Sequence, residues 1–570
     1  MNGKKKILAL SMAAMMLFVT ACGNGGKNTD ASNSGNVNSS GESAQTQDGG
    51  KQYLNSLLNA EPATLDAQKG SDLYGNTVIN NITEPLLRMA EKDDGSNELI
   101  PAAAESYEVS EDGLTYTFKL REGMKWEDGQ PLTAKDFEYG IRRVADPATG
   151  SESAFLLAPI KNFNKINSSK GEVNLDELGV KAVDDSTLEV TLEAPTVYFP
   201  TLVPFRVMLP ARADIIEKYG EKYGSEADTV LSCGPFKLVE WTHNSRLTLE
   251  KNNEYWDAEN VKLETVNLPI MTDTNTVMNS FSVGEVDVVR TNIPEWVTKF
   301  EGMDEVKFKK VDLPSIDYLS VNHKDDLMKN EKIRTAINLA VDREGLAKTL
   351  SEGFVVPSQG WTPNGIQLDG KEYRKEIGDS FKDLKEANKD LKALFIEGMK
   401  ELGLGEDPAS LDITIIYTNS PRVKMINEFV QQSINTKLGT NVKLETMEWP
   451  ILSGRVQKGD YQLAYLAWTA DYNDPSAMLS LFTSAAAAVN TGWESADYDK
   501  IITEASQEKD SQKAMELYKE ADKMIVDESV VIPLIGASTN QYHYDFVKGI
   551  KYSEFTTTGY KTIDTSERQK

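Results

Sequence analysis

The chain has 570 residues, including 88 Asp and Glu and 61 Lys and Arg, and 40% of its residues are hydrophobic. This length predicts two to four domains, and the composition is typical of a globular protein. The net charge of −27 argues against a nucleic-acid partner, because neutralising phosphates requires clustered Lys and Arg. With only Cys22, Cys233 and three histidines, the chain cannot form a disulfide scaffold and has little material for a zinc site or a catalytic triad.

The first 21 residues have the pattern of a bacterial export signal. Three lysines precede an apolar run of about 15 residues, which is shorter than the ~20 needed to span a bilayer as a helix. The run ends at residues 19–23 (VTACG), which resemble the lipobox of bacterial lipoproteins. We therefore expect residues 1–21 to be a cleaved signal peptide and Cys22 to carry a lipid that anchors the mature protein to a membrane, outside the cytoplasm.

Residues 22–50 are predicted to be a flexible linker. After Cys22 they contain seven glycines, one valine and no aromatic residue, so they cannot bury enough apolar surface to fold. A flexible coil of this length has an r.m.s. reach of about 30 Å, enough to hold a folded body clear of a membrane.

The rest of the chain shows the patterns of an α/β protein. Alternation of apolar and polar residues predicts half-buried strands, and the more continuous apolar run at residues 411–417 predicts a strand buried on both faces. The strand candidates are residues 114–120, 187–193, 246–250, 411–417, 442–447 and 461–466.

A helix is predicted at residues 421–438, between two of these strands. Ser420 is at the N-cap position, Pro421 is the first helical residue and Gly439 follows the last turn. This order predicts a β-α-β unit over residues 411–447, with parallel strands whose carboxyl ends commonly border ligand sites. Further helices are predicted at residues 331–340, after Asp342 as an N-cap, and at residues 511–527.

Catalytic motifs are absent from the sequence. It has no Walker phosphate loop, HExxH, paired CxxC, or GxSxG followed by a usable histidine. His243, His323 and His543 lie in polar contexts that predict surface positions. Paired carboxylates of the kind that glycosidases use stay open, because 88 acidic residues always offer pairs by chance. We expect no metal site and no cofactor.

A series of short segments runs through the chain in a characteristic order. They are residues 61–66 (EPATLD), 82–87 (ITEPLL), 101–107 (PAAAESY), 112–121 (DGLTYTFKLR), 125–129 (KWEDG), 132–137 (LTAKDF), 233–238 (CGPFKL), 253–256 (NEYW), 284–287 (GEVD), 332–336 (KIRTA), 340–343 (AVDR) and 468–475 (WTADYNDP). Together, over residues 53–535, they resemble the oligopeptide- and dipeptide-binding proteins of bacterial ABC importers, a family of extracytoplasmic solute-binding proteins. Cys233 lies where that family has a small or hydroxyl residue, and we expect a buried thiol there.

The resemblance implies an α/β, two-lobed fold like that of periplasmic binding proteins, with an additional domain in the first lobe and a ligand cleft between the lobes. The implied boundaries are residues 51–95, 228–315 and 536–570 for domain I, 96–227 for domain II and 316–535 for domain III. Domains I and III would close over the ligand by a hinge motion, and domain II would be scaffold.

A general peptide site must recognise the backbone and termini that all peptides share. An extended peptide can pair with protein strands, and its buried ammonium group needs a carboxylate partner. The resemblance assigns Asp471 to the ammonium, Trp468 to a pocket wall, the backbone of Ala467 to Thr469 to one side of the peptide, and the backbone of Ser71, Asp72 and Leu73 to the other. A turn cap before residues 473–475 is the alternative role for Asp471.

The group that binds the peptide carboxylate stays open. Known members have a cation shortly before the WTAD stretch, where this chain has Tyr465. Arg455, Lys458 and His323 are possible substitutes, and each is also readily explained as an ordinary surface charge.

The resemblance implies a non-enzymatic, monomeric receptor. It would capture peptides outside the membrane and deliver them to a permease, while separate ATPase subunits hydrolyse ATP. Two alternatives are a protein of the same fold that binds a metal chelate, haem or sugar, and a secreted hydrolase.

Overall fold

A computed structural model describes residues 52–569, except for 71, 94–95, 351–352, 485, 487–488, 490, 553 and 556–558. The predicted signal peptide, the linker with Cys22, and Ser71 therefore lie outside the described residues. Among the helices of the described part of the chain, none combines the length and the apolar character needed to cross a membrane.

The described residues form nineteen strands, numbered in chain order. They are β1 (Tyr53–Asn55), β2 (Leu87–Glu91), β3 (Asn97–Pro101), β4 (Ala104–Val109), β5 (Thr115–Leu120), β6 (Val180–Ala182), β7 (Thr187–Thr191), β8 (Phe236–Thr242), β9 (Arg246–Lys251), β10 (Thr265–Pro269), β11 (Val288–Thr291), β12 (Val306–Val321), β13 (Val355–Pro357), β14 (Gln367–Leu368), β15 (Lys371–Glu372), β16 (Thr414–Thr418), β17 (Lys443–Met447), β18 (Leu463–Thr469) and β19 (Val531–Tyr544).

Seventeen α-helices lie in the same described part. They are α1 (Leu73–Ile82), α2 (Ala134–Ala145), α3 (Phe163–Asn167), α4 (Phe199–Leu202), α5 (Ala213–Tyr219), α6 (Thr274–Ser282), α7 (Pro294–Glu301), α8 (Glu331–Ala340), α9 (Arg343–Leu350), α10 (Tyr373–Ile377), α11 (Lys382–Ala387), α12 (Leu391–Glu401), α13 (Pro421–Leu438), α14 (Trp449–Lys458), α15 (Ser476–Leu479), α16 (Ala496–Gln507) and α17 (Ser511–Asp527). Short 3-10 helices span Ala154–Leu157, Leu175–Glu177, Arg206–Met208, Gly220–Lys222, Ala227–Thr229, Ala258–Asn260, Pro408–Ser410 and Ser480–Phe482.

Three larger sheets organise these elements. Two four-stranded sheets have the orders β1-β10-β9-β8 and β4-β5-β7-β6. The third sheet runs β11-β19-β12-β18-β16-β17, with β13 also paired to β19. One buried apolar cluster lies around the β1-to-β8 sheet, and a second packs α8, α12 and α13 against the seven-stranded sheet. A third cluster joins the β4-to-β6 sheet to residues of the seven-stranded sheet.

The β-α-β unit is confirmed. β16 and β17 pair in parallel, and α13 connects them over the predicted span. Pro421 is the first helical residue and Gly439 has a φ of 79°, a left-handed conformation that glycine adopts without steric cost. Ile426, Val430 and Ile434 are buried along one helix face, which fixes α13 against the sheet.

The two longest strands cross the boundary that the resemblance implies between domains I and III. β12 and β19 run antiparallel, and Ile316 pairs with Gly536. Their register shifts between Leu313 and Ile316 and again at Tyr318. Irregularities of this kind interrupt a ladder and bend the strands locally, so the β12–β19 ladder is interrupted at the expected boundary.

Candidate ligand-binding site

One edge of β18 is open at its carboxyl end. β18 pairs with β12 along its whole length, from Leu463 to Thr469. On its other side β16 reaches only Leu463 and Ala464, and no other described strand pairs beyond that point. The carboxyl ends of β16 and β18 therefore separate, which leaves a crevice of the kind that binds ligands in α/β proteins.

The phase of the β12–β18 ladder identifies the backbone groups on the open edge. Ala470 donates its N–H to the Pro314 carbonyl at 2.8 Å, and Asn322 donates to the Gln462 carbonyl at 3.0 Å. In an antiparallel pair, alternate residues direct their polar groups to the partner strand. Even-numbered residues of β18 thus bond to β12, and the N–H and C=O groups of Ala467 and Thr469 point away from it, toward the crevice.

Asp471 follows directly after this edge. Its carboxylate is partly buried, and it has no hydrogen bond or salt bridge to any described residue. Burial alone raises the pKa of Asp471 to about 6. A desolvated carboxylate without a partner is costly, so this side chain is not explained by the turn cap that was its alternative role. The cap of that turn comes instead from Asp474, whose carboxylate accepts the N–H and hydroxyl of Ser476.

Trp468 lies on the other face of β18 from Ala467 and Thr469. It packs against the large core cluster that contains Tyr318 and Trp361, and part of its surface stays exposed. Its indole N–H has no hydrogen-bond partner among the described residues. The side chain therefore forms an apolar wall whose indole N–H is buried.

Asp72 and Leu73, two of the three predicted domain I residues, lie at the start of α1. Asp72 is the N-cap, with extended backbone dihedrals, and its Oδ1 accepts the Gly75 N–H at 2.7 Å. Leu73 is the first helical residue and is 70% exposed. The side chain of Leu73 is therefore accessible at a helix entrance rather than in a strand, whereas the Asp72 carbonyl already accepts the Asn76 N–H at 3.0 Å.

The three substitutes for a carboxylate-binding cation are all otherwise accounted for. Arg455 pairs with Glu445 and Asp460, and Lys458 is exposed at the end of α14. His323 hydrogen-bonds the Val530 carbonyl, and burial lowers its pKa to about 4, so it is neutral at physiological pH. The sequence predicted a surface position for His543 as well. That prediction is wrong, because His543 lies in the buried strand β19 and is 7% exposed.

A cluster of polar side chains that sequence patterns miss lies next to the open edge. Arg422, in the first turn of α13, bonds to Asp317 of β12 with an Nη2···Oδ2 distance of 3.0 Å. Asp317 is directly opposite Ala467 in the ladder. Tyr465 lies on the same sheet face, where burial and the Asp317 charge raise the pKa of its hydroxyl. These three residues are far apart in the chain, so no local spacing signals them.

Within the described residues, no group of three or more His, Cys, Asp or Glu side chains could hold a metal ion. Cys233 is buried, as expected, and its sulfur accepts the Glu84 N–H at 3.4 Å.

Comparisons with known proteins match this architecture. A model of the family described as bacterial extracellular solute-binding proteins, family 5 Middle, matches residues 98–490. The dipeptide-binding protein DppE of Bacillus subtilis (strain 168) is 35% identical over 491 residues, which cover 86% of this chain and 88% of the relative. The oligopeptide-binding protein OppA of the same strain is 31% identical over 554 residues, 96% of this chain and 97% of the relative.

A solved structure extends the match to the fold. The substrate-binding domain of an oligopeptide ABC transporter from Bacillus anthracis str. Ames is 32% identical and aligns with a TM-score of 0.69, over 90% of this chain and 99% of that chain. The expected α/β, two-lobed solute-binding fold is therefore confirmed. The chain belongs to family 5 of the bacterial extracellular solute-binding proteins.

Proposed function

We propose that this protein captures peptides outside the cytoplasm for an ABC importer. The observation that carries the proposal is Asp471, an unpaired and partly buried carboxylate beside an open strand edge. A peptide ammonium group supplies the missing positive charge, and the carboxylate in turn supplies the partner that a desolvated ammonium requires. The names of the similar DppE, OppA and transporter proteins, which refer to dipeptides and oligopeptides, support the same class of ligand.

Strand pairing provides the sequence-independent part of the affinity. An extended peptide adds to β18 through the outward backbone groups of Ala467 and Thr469, while Trp468 walls one side-chain pocket. Ser71, Asp72 and Leu73 supply backbone groups from domain I. Because backbone groups are common to all peptides, this arrangement tolerates different side chains.

Lobe closure buries the peptide. Domain I (51–95, 228–315 and 536–570) and domain III (316–535) rotate about the irregular segment of β12 and β19, where Ile316 pairs with Gly536. Domain II (96–227) is scaffold. Closure removes water from the ammonium–Asp471 pair and so strengthens it.

The protein acts as a monomeric binding subunit rather than as an enzyme. The lipid on Cys22 holds it at the outer face of the membrane, and residues 22–50 let it reach the permease. ATP hydrolysis belongs to separate subunits. Replacing Cys22 with Ala should release the protein from the membrane fraction, and retention of that variant would contradict the lipid anchor.

The central experiment compares peptide mixtures by thermal unfolding. Free peptides should raise the melting temperature, the same mixture after N-acetylation should not, and Asp471→Ala should weaken binding at least tenfold. Asp460→Ala, which removes an exposed carboxylate from the same lobe, is the matched control. Equal stabilisation by acetylated and free peptides would contradict the role of Asp471, and release of cleaved products would contradict a binding function.

Mass spectrometry of co-purifying ligand decides between peptides and other solutes. Peptides retained from the cell support the proposal. A metal chelate, haem or sugar in their place would assign the same fold to another solute.

A further inference from the structure

We propose that Arg206, a buried residue of domain II, positions the domain I backbone at Asp72 and Leu73 and thereby raises the affinity of that backbone for a peptide. The inference rests on the proposed function, in which this backbone forms one side of the ligand site. Arg206 is a positioning residue, because it acts through residues 66–72 and does not itself contact the peptide. Domain II therefore contributes to binding and is more than scaffold.

Arg206 reaches domain I through two backbone carbonyl groups. It lies in the short 3-10 helix Arg206–Met208 and is 4% exposed. Its Nε donates to the Ala67 carbonyl at 2.9 Å, and its Nη2 donates to the Asp66 carbonyl at 3.2 Å. The partners are 139 and 140 residues apart in the sequence, so the two bonds join separate parts of the chain. Hydrogen bonds from a charged donor are stronger than those between neutral groups.

The same guanidinium lies close to the start of α1. A Cβ atom at Gly70 would lie 3.3 Å from Arg206 Nη2 and 3.8 Å from Asp72 Oδ2, so both groups border the Gly70 backbone. Asp72 Oδ2 is buried and has no hydrogen-bond partner in the part of the chain that the structure describes. Burial lowers the pKa of Arg206, and the charge of Asp72 opposes this effect more than any other charge does. The Arg206 charge therefore offsets part of the cost of burying Asp72, whose Oδ1 caps α1 directly before Leu73.

Other domain II groups hold the earlier part of this segment. Arg143 donates to both carboxylate oxygens of Asp66, at 2.5 and 2.7 Å. The Glu152 N–H bonds to the Lys69 carbonyl at 3.1 Å. Asp66 is 1% exposed, so this end of the segment is anchored in the protein interior. Arg206 continues the same attachment toward the residues that face the ligand.

This attachment lowers the cost of binding a ligand. Residues 66–70 and Asp72 lie outside the helices and strands. Backbone of this kind loses conformational entropy when a ligand orders it, unless contacts within the protein have already done so. The bonds from Arg206 order it before a ligand arrives. The group held ready is the N–H of Leu73, which no described residue accepts because Leu73 is the first residue of α1.

The test asks whether Arg206 and the Leu73 N–H act together. Mixed-sequence peptides of three to eight residues are titrated by calorimetry into the wild type, Arg206→Met, Leu73→Pro and the double variant. Proline removes the Leu73 N–H at the first helical position, where helices tolerate it. The extended backbone of Asp72, with φ −69° and ψ 146°, is compatible with a following proline.

The two single variants should each lose about tenfold in peptide affinity. In the Arg206→Met background, Leu73→Pro should cost less than threefold, because the N–H that it removes is no longer held in place. Two substitutions that act through one group are not additive, whereas independent ones are. Thr469→Pro, which removes an outward N–H of β18, should therefore cost the same factor with and without Arg206.

Two further variants separate positioning from folding. Arg334→Met is the matched control, because Arg334 of domain III is also buried and also donates only to backbone carbonyls. It should lower the melting temperature and leave peptide affinity unchanged. Arg206→Lys keeps the charge beside Asp72 and should recover part of the affinity that Arg206→Met loses.

The outcomes distinguish this inference from the proposed function. If Arg206→Met keeps full affinity, or if Leu73→Pro costs tenfold in both backgrounds, Arg206 does not position this backbone and the inference fails. If peptides bind but Leu73→Pro alone has no effect, the domain I side of the proposed site fails together with the inference. If no peptide binds the wild type, the proposed function fails as well.

Discussion

Ala470 donates its backbone N–H to the carbonyl oxygen of Pro314 at an N···O distance of 2.8 Å. This bond sets the phase of the β12–β18 ladder, so the adjacent residue Thr469 directs its own N–H to the open edge. The two neighbours thus differ in role, since Ala470 bonds to β12 and the N–H of Thr469 is available to a ligand.

Thr469→Pro should separate these roles. Proline removes the outward N–H without breaking a ladder bond, and an edge position tolerates it. We expect peptide affinity to fall about tenfold, measured by titration calorimetry, with little change in the melting temperature of the free protein. Leu466→Pro is the contrasting variant, because its N–H belongs to the β12 ladder and its loss should lower the melting temperature. Unchanged affinity in Thr469→Pro would contradict strand pairing at this residue.

The buried Glu84–Arg88 pair should be a large stability determinant. Glu84 is fully buried, accepts the Tyr255 hydroxyl at 3.0 Å and the Trp256 indole N–H at 2.8 Å, and pairs with Arg88. Glu84→Ala removes the buried carboxylate that accepts from Arg88, Tyr255 and Trp256 together, and should cost about 3–5 kcal/mol. Urea unfolding measures this.

The matched control for that variant is Glu254→Ala. Its partner Lys125 and Glu254 itself are about half exposed, so the loss should be below about 1 kcal/mol. Equal losses in the free energy of unfolding for the two variants would show that burial does not determine how much the Glu84–Arg88 pair stabilises the fold.

Periodicity predicted the presence of helices and strands better than the residues at which they begin and end. α13 has the predicted bounds, because a proline begins it and a glycine follows it. The backbone conformations that these two residue types prefer are those of a helix start and a helix end. β16 begins at Thr414 instead of residue 411, and β18 runs to Thr469 instead of 466. Alternation reports which side chains are buried, but strand ends depend on hydrogen bonds to distant strands.

The long strands β12 and β19 and the Arg422 cluster were not predicted. β12 carries Lys307, Lys309 and Lys310 near its start, which obscures alternation. Arg422 and Asp317 are 105 residues apart, and only the parallel β-α-β geometry brings them together. Asp471 was predicted through the resemblance, whereas its lack of a partner is visible only in three dimensions.

Cys233 should be inert in the folded protein. Its side chain is 2% exposed, and burial raises the pKa of its thiol, so the reactive thiolate is not formed at neutral pH. In the full chain with Cys22→Ala, a thiol reagent such as DTNB should react negligibly under native conditions and once per chain in urea. Rapid native labelling would contradict a purely structural thiol.

Asp471 should make the free protein less stable as pH rises. Its folded pKa is about 6, above the ordinary value of 3.8, so the native state holds the proton more tightly than the unfolded state. This contribution to stability is fully present below pH ~4 and is lost as pH rises through 6. The loss is at most about 3 kcal/mol, reduced by the solvent that still reaches the group.

Asp471→Asn tests this trade between stability and binding. The variant should melt above the wild type at pH 8, match it near pH 4, and bind free peptides at least tenfold more weakly. Asp474 is buried and titrates in the same range, with a pKa of about 6. Because Asp474 is present in both proteins, its contribution cancels in the difference between their melting temperatures. Wild-type affinity should also fall from pH 7 to pH 5, as protonation removes the charge that attracts the ammonium group, while the variant's affinity stays flat. If the variant were less stable than the wild type at pH 8, Asp471 would have an internal partner, and its carboxylate would not be held ready for a ligand.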